Sequence, residues 1–147
     1  MSTVKNKKAT KIMVFGTFDG VHLGHLSFFK QAKKISTNSF LIVSVARDKN
    51  VLKIKGATPE INEKKRKKLL ESYELIDKVV LGGLKNHISH IVKESPDVIA
   101  LGYDQVTYVK DLEKDLEKKG LFVKIVRLKP HKENIYKNSL LKKKRKI

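Results

Sequence analysis

The sequence predicts an α/β fold: a parallel sheet of five strands with helices on both faces. Three observations predict it. Five short apolar runs, rich in Val, Ile, Leu and Phe, are spaced along the chain; runs of that length and kind suit strands covered on both sides. Segments with apolar residues at helical spacing separate them. No hairpin signal joins consecutive runs, and strands alternating with helices build a parallel sheet.

Each element follows from its residues. Ile12-Met13-Val14-Phe15 is the first strand, and Leu26 to Ala32 has helical spacing after a glycine-bearing turn. Phe40 to Ala46 is a second strand, continuous and β-branched. Arg47-Asp48-Lys49-Asn50 breaks it, and a basic loop is expected through Lys53, Lys55, Gly56 and Pro59. Asn62 caps a helix from Glu63 to about Tyr73, because its side chain satisfies orphan N–H groups. Lys78 to Leu81 is a third strand, stopped by Gly82-Gly83. Ile88, Ile91 and Val92 mark one face of a short helix that ends before Pro96, which disfavours helix in the residue preceding it. Asp97 to Leu101 is the fourth strand, closed by Gly102-Tyr103-Asp104-Gln105. Val109, Leu112 and Leu116 recur at helical spacing until Gly120 supplies a C-terminal stop. Phe122 to Arg127 alternates less cleanly and reads as a fifth strand nearer an edge; a short basic helix is expected from about Asn138.

At 147 residues, the chain suits one domain with a real core. Its 40% hydrophobic and 33% charged residues exclude the composition of a disordered chain. No apolar run reaches the ~18 residues of a membrane span, and Met1 to Lys8 lacks the apolar stretch of a secretory leader. The absence of cysteine removes disulfides and thiolate chemistry and agrees with a cytoplasmic location. The expected organisation is a basic N-terminal extension (1–10), an α/β domain (11–135) and a basic C-terminal helix or tail (136–147) that completes the site. The net charge of +18 is concentrated in the lysine clusters near Lys7, Lys65 and Lys143. Such a field attracts nucleic acid, anionic membrane or phosphorylated small molecules. As solvated faces, the clusters bound the partners without choosing one.

The chemistry concentrates in Gly16-Thr17-Phe18-Asp19-Gly20-Val21-His22-Leu23-Gly24-His25. A strand, a glycine turn and a helix start make a cradle for phosphates, because the first helical N–H groups point outward unsatisfied and the dipole favours an anion. His22 and His25, three residues apart, project to one side and can donate to phosphate oxygens. In a parallel sheet this turn, Arg47 and Gly102-Tyr103-Asp104 share the edge where ligands bind. His87 and His90 repeat the three-residue spacing. Zinc needs three or four converging ligands, and nothing in the sequence brings the two pairs together, so no metal site is assigned.

These residues carry a resemblance. Gly16 to His25 is similar to the signature of the nucleotidylyltransferase superfamily, in its cytidylyltransferase-like branch, and Arg47-Asp48, Lys53-x-Lys55-Gly56, Pro59, Arg66 and Val80-Leu81-Gly82 follow in that branch's order. Pro96 to Gln105 resembles the narrower group of archaeal-type FAD synthases, which adenylylate FMN. The resemblance implies a single Rossmann-like domain and nucleotidyl transfer from a nucleoside triphosphate to a phosphate monoester, with release of pyrophosphate. It implies ATP and FMN as substrates, magnesium or another divalent cation carried with the nucleotide, and a possible homodimer. His22 and His25 are then the groups that bind the α- and β-phosphates, with Lys53 and Arg66 completing the catalytic set. Gly16, Thr17, Phe18, Leu23, Gly24, Gly102, Tyr103, Asp104, Tyr136 and Ser139 are implied to bind the nucleotide, and Arg47, Lys53 and Lys55 to meet the acceptor phosphate.

The chemistry fits without a nucleophilic side chain. An attacking phosphomonoester is already anionic near neutral pH, so positioning and charge neutralisation suffice. One segment departs from the pattern. Where the superfamily opens its last helix with a Ser/Thr-rich motif, Tyr136-Lys137-Asn138-Ser139 has a single hydroxyl. Three alternatives stay open at this stage: a CTP-dependent enzyme acting on glycerol phosphate or a similar alcohol phosphate, a basic nucleic-acid-binding protein on the same fold, and a nucleotide sensor.

Overall fold

The structure, a computed structural model, describes residues 8–105 and 111–130. Strands and helices alternate as the apolar runs require: β1 (Thr10–Gly16), α1 (Leu23–Lys33), β2 (Ser39–Val45), α2 (Asp48–Lys55), α3 (Glu63–Glu71), β3 (Lys78–Leu81), α4 (His87–Glu94), β4 (Val98–Leu101), α5 (Leu112–Lys118) and β5 (Lys124–Arg127). All strand pairs are parallel, in the order β3-β2-β1-β4-β5. The chain builds outward from β1 through β2 to β3, then crosses back to add β4 and β5 on the other side. The reversal between β1 and β4 opens the crevice where such sheets bind ligands.

Side-chain alternation along β1 divides the core. Ile12 and Val14 join Leu41, Val43 and Val45 of β2 on one face, covered by Phe29 and Ala32 of α1 and Leu70 of α3. Met13, Ile42, Ile99 and Leu101 occupy the other, covered by Ile91 of α4 and Leu112 and Leu116 of α5. Both faces of the sheet are therefore apolar, which explains the unbroken hydrophobic runs. Each large side chain buried there contributes roughly 1.5–3 kcal/mol.

Two expectations are corrected. Asp48–Lys55 is a helix, where a break and a basic loop through Lys53 and Lys55 are expected from the sequence. Its C-terminus is closed by Gly56 at φ 80°, whose N–H donates to the Leu52 carbonyl, an ending that favours glycine. Its N-terminus is fastened to α3: the Asp48 N–H donates to Glu63 Oε1 at 2.8 Å and the Glu63 N–H to Asp48 Oδ2 at 3.1 Å. Each helix thus supplies the carboxylate that caps the other. The fifth strand starts only at Lys124, and Phe122, expected within it, is 75% exposed. The expectations placed on Val109, Tyr136, Asn138 and Ser139, on residues 1–7 and on the 136–147 segment lie outside the described residues.

Candidate active site

A cavity of about 310 Å³ opens at the carboxyl ends of β1 and β4. The first turn contributes Gly16, Thr17 and Phe18 to its lining, and the start of α1 contributes His22, Gly24 and His25. The turn after β4 contributes Gly102, Tyr103, Asp104 and Gln105, while Lys129 and Pro130 close the rim. Two motifs about 80 residues apart in sequence therefore meet at the sheet's switch point.

The first turn is shaped by a buried ring. Phe18 adopts φ 53°, an uncommon conformation for a large side chain. Its ring, only 6% exposed, packs 5.4 Å from Phe29 and 5.2 Å edge-on from His25. It also lies over Gly16, where a Cβ would approach the ring to 2.5 Å. Glycine at 16 is thus a steric requirement of the turn. Outside the cavity, Asp19 accepts from the Glu60 and Ile61 N–H groups, both at 2.8 Å. Those bonds hold its carboxyl below the usual range, with weaker help from Arg66 and Lys55.

The two histidines are locked together. His22 is the N-cap of α1: its Nδ1 accepts from the Gly24 N–H at 3.1 Å and the His25 N–H at 3.4 Å. His25 Nδ1 in turn accepts from the His22 N–H at 3.3 Å, completing a reciprocal capping box. The rings stack with centroids 3.8 Å apart. This arrangement corrects the expectation of open N–H groups at the helix start, because the His22 ring already caps two of them. With Nδ1 accepting in both rings, each neutral imidazole carries its proton on Nε2. Burial, reinforced by the adjacent His22, pushes the His25 imidazole down to about 4, against a hydrogen bond at the Gly20 main chain that works the other way. At neutral pH His25 is a neutral donor rather than a cation.

The structure places four of the expected cations away from the lining. Arg66 is 0% exposed; its Nε donates to the Ile61 carbonyl, its Nη1 to the Thr17 carbonyl and its Nη2 to Asp48, at 2.8, 2.7 and 2.6 Å. It holds the turn from beneath instead of presenting charge to the cavity. Arg47 donates to Glu63 at 3.0 Å and to the Gly82 carbonyl at 3.4 Å. Lys53 and Lys55 are exposed on α2, and Lys55 is close enough to act electrostatically on Asp19.

Several positioning residues escaped the sequence reading. Gln105 donates from Nε2 to the Phe15 carbonyl and accepts at Oε1 from the Gly102 N–H, both at 2.8 Å. Arg127 donates to the Gly102 and Gln105 carbonyls at 2.8 and 2.6 Å. Gln31 pairs with both main-chain groups of Lys129. An amide, one donor and one acceptor on a short stem, was the available signal in each glutamine; the partners lie 90 and 98 residues away and gave none. His87 and His90 stand at the start of α4, apart from this cavity, with His90 Nε2 hydrogen-bonded to Ser44 Oγ at 2.8 Å. Among the described residues no cluster of three or more His, Cys, Asp or Glu is placed to hold a metal ion, and no helix is long and apolar enough to cross a membrane.

Comparison with known proteins places this geometry among relatives. The sequence profile of the cytidylyltransferase-like family matches residues 13–144. A protein of Archaeoglobus profundus named FAD synthase is 40% identical over 126 residues, covering 86% of this chain and 79% of the relative. Another FAD synthase, from Korarchaeum cryptofilum, is 43% identical over 119 residues, covering 80% of each. Among solved structures, one described as a lipopolysaccharide core biosynthesis protein of Thermoplasma volcanium superposes with a TM-score of 0.77 at 33% identity, covering 84% of this chain and 99% of that one.

Proposed function

This chain belongs to the cytidylyltransferase-like family, and on that premise we propose that it transfers AMP from ATP to FMN, giving FAD and pyrophosphate. The FAD synthases it resembles over most of its length support ATP and FMN as the substrates. The observation that carries the chemistry is the convergence of the His22/His25 capping box and the Gly102–Gln105 turn on one cavity.

The reaction follows from that arrangement. An FMN phosphate oxygen attacks the α-phosphorus of ATP in line with the departing oxygen. The new P–O bond forms as the bond between the α-phosphorus and the bridging oxygen to the β-phosphorus breaks, and pyrophosphate leaves with the electron pair. No proton must be removed from the nucleophile, so no general base is needed. The Nε2–H groups of His22 and His25 donate to the α- and β-phosphates as charge builds there, the His25 N–H sharing its proton with the Gly20 main chain. The turn that presents them is immobilised by Arg66 at Thr17 and by Asp19 at the 60–61 main chain. Gly16, Thr17, Phe18 and Gly24 shape the phosphate end, and Gly102, Tyr103 and Asp104 the nucleoside end, while Leu23, expected with them, is half exposed and outside the cavity lining. Lys53 and Lys55, on the exposed end of α2, are assigned to the acceptor phosphate, and Tyr136 and Ser139 to the nucleotide.

Magnesium carried with the nucleotide would neutralise charge on the triphosphate and make pyrophosphate a better leaving group. The donors present fit an ion held mainly by phosphate oxygens and water, since Asp104 is the only carboxylate among the described lining residues. A CTP-dependent transfer to an alcohol phosphate is not favoured, because the relatives are named for FAD synthesis.

The test is product formation with ATP and CTP, FMN and glycerol phosphate all present in magnesium buffer. FAD and pyrophosphate are the expected products. Cytidine diphosphate glycerol as the main product refutes the substrate assignment, and no transfer to any acceptor refutes the enzyme.

A further inference from the structure

The two ladders of β1 end at different heights. Paired with β2, β1 runs to Gly16 opposite Val45; paired with β4, its register closes at Met13 opposite Ile99. The main chain shows which residues face which neighbour. Lys11 O accepts from the Asp97 N–H on the β4 side, and Gly16 O accepts from the Ala46 N–H on the β2 side. Continuing the β4 register by two residues sets Phe15 opposite Leu101, and in that parallel phase the Phe15 carbonyl would take the Gly102 N–H. It does not. Both groups are engaged by the same side chain, the Gln105 amide, at 2.8 Å each.

We infer that Gln105 is a positioning residue whose amide is inserted between β1 and β4 as a substitute peptide group, holding the crevice at the width the nucleotide needs. An amide suits this task because it offers one donor to Phe15 and one acceptor to Gly102 from a single plane. The turn is folded back to deliver it: the Gln105 N–H donates to the Gly102 carbonyl, and Arg127 clamps the carbonyls of both residues. Phe15, Gly102, Asp104 and Gln105 all line the cavity, so the spacing between the strands is the spacing of the cavity wall. The inference rests on nucleotidyl transfer occurring there.

Replacing the amide with an apolar group of similar length tests it. In the full-length Gln105→Met chain the spacer's two bonds are gone, and the Gly102 N–H closes onto Phe15 O. The ladder heals while the crevice narrows. The Gly102 amide therefore stays protected in hydrogen exchange and the thermal midpoint stays near wild type. Affinity for magnesium ATP by calorimetry, and kcat/KM for FAD formation, fall by about 10–100-fold, the scale of a small misplacement of reacting groups. In Gln105→Glu the carboxylate opposes the Phe15 carbonyl, so activity relative to wild type recovers as the pH is lowered and the acid regains a donor. A Gly102 amide that exchanges freely in Gln105→Met, or ATP affinity and kcat/KM within about twofold of wild type, overturns the inference. A wild-type chain that forms no FAD overturns the reaction instead; the Gly102 amide still decides for or against the spacer.

Discussion

Two histidine pairs share one spacing and stand at helix starts after parallel strands, yet they do different things. His22 and His25 cap their own helix, stack, and border the cavity at the switch point. His87 and His90 begin α4, which Asn86 caps through the Ile88 and Ser89 N–H groups. His90 turns inward to Ser44 of β2, and the pair follows the edge strand β3 rather than central β1. Burial lowers the titration of His25, His87 and His90 alike. A shifted imidazole is therefore not what distinguishes the site. Its place in the sheet is.

The largest expected effect breaks one pair and spares the fold. His25→Ala lowers FAD formation by about 10²–10³-fold, as loss of one fixed donor does elsewhere, with an unchanged circular dichroism spectrum; near-wild-type turnover removes the role of the pair. Beneath the same turn, Arg66→Met leaves Asp48 and two carbonyls without their donor. It costs roughly 3 kcal/mol in chemical denaturation, the lower end for a broken buried pair because the Asp48 side chain remains 31% exposed. His90→Ala removes one hydrogen bond from Ser44, costs about 1 kcal/mol and leaves turnover nearly unaltered. Lys53→Ala with Lys55→Ala raises the KM for FMN a few-fold without moving the thermal midpoint, since both side chains are exposed.

The pH dependence shows what the pairs share. His25 titrates near 4 when folded and near 6.5 when free. Between those values the unfolded chain binds the proton and the folded chain does not, so stability falls as the pH drops from 6.5 towards 4. His87 and His90, also lowered, act with the same sign. Thermal midpoints across that range fall with acidity in the wild type and fall less in His25→Ala. A midpoint that is flat across it, or identical slopes in the two proteins, contradicts the burial of this ring.

Much of this was legible in the sequence, where local pattern and tertiary role agree. The runs around Val14, Val43 and Ile99 name their strands because both faces of each are covered. The glycines and histidines of the first turn name the phosphate end because few other tasks need that combination on a strand–turn–helix. Asp48–Lys55 was not legible. Its sequence is polar, and its helix is secured by the reciprocal caps of Asp48 and Glu63, 15 residues apart. Arg66 sits in a lysine-rich run that reads as solvated, yet it alone of its neighbours turns inward, to acceptors that the fold brings from Thr17 and Ile61. Gln105 closed a motif without a role, because its task exists only where two strands diverge.

The most direct test of the central claim is the ring-nitrogen NMR spectrum of histidine-labelled protein titrated with magnesium ATP. The Nε2 resonances of His22 and His25 are expected to move together while keeping the proton on Nε2, and those of His87 and His90 to stay in place. Movement confined to His87 and His90, or none at His22 and His25 at saturating nucleotide, contradicts the account.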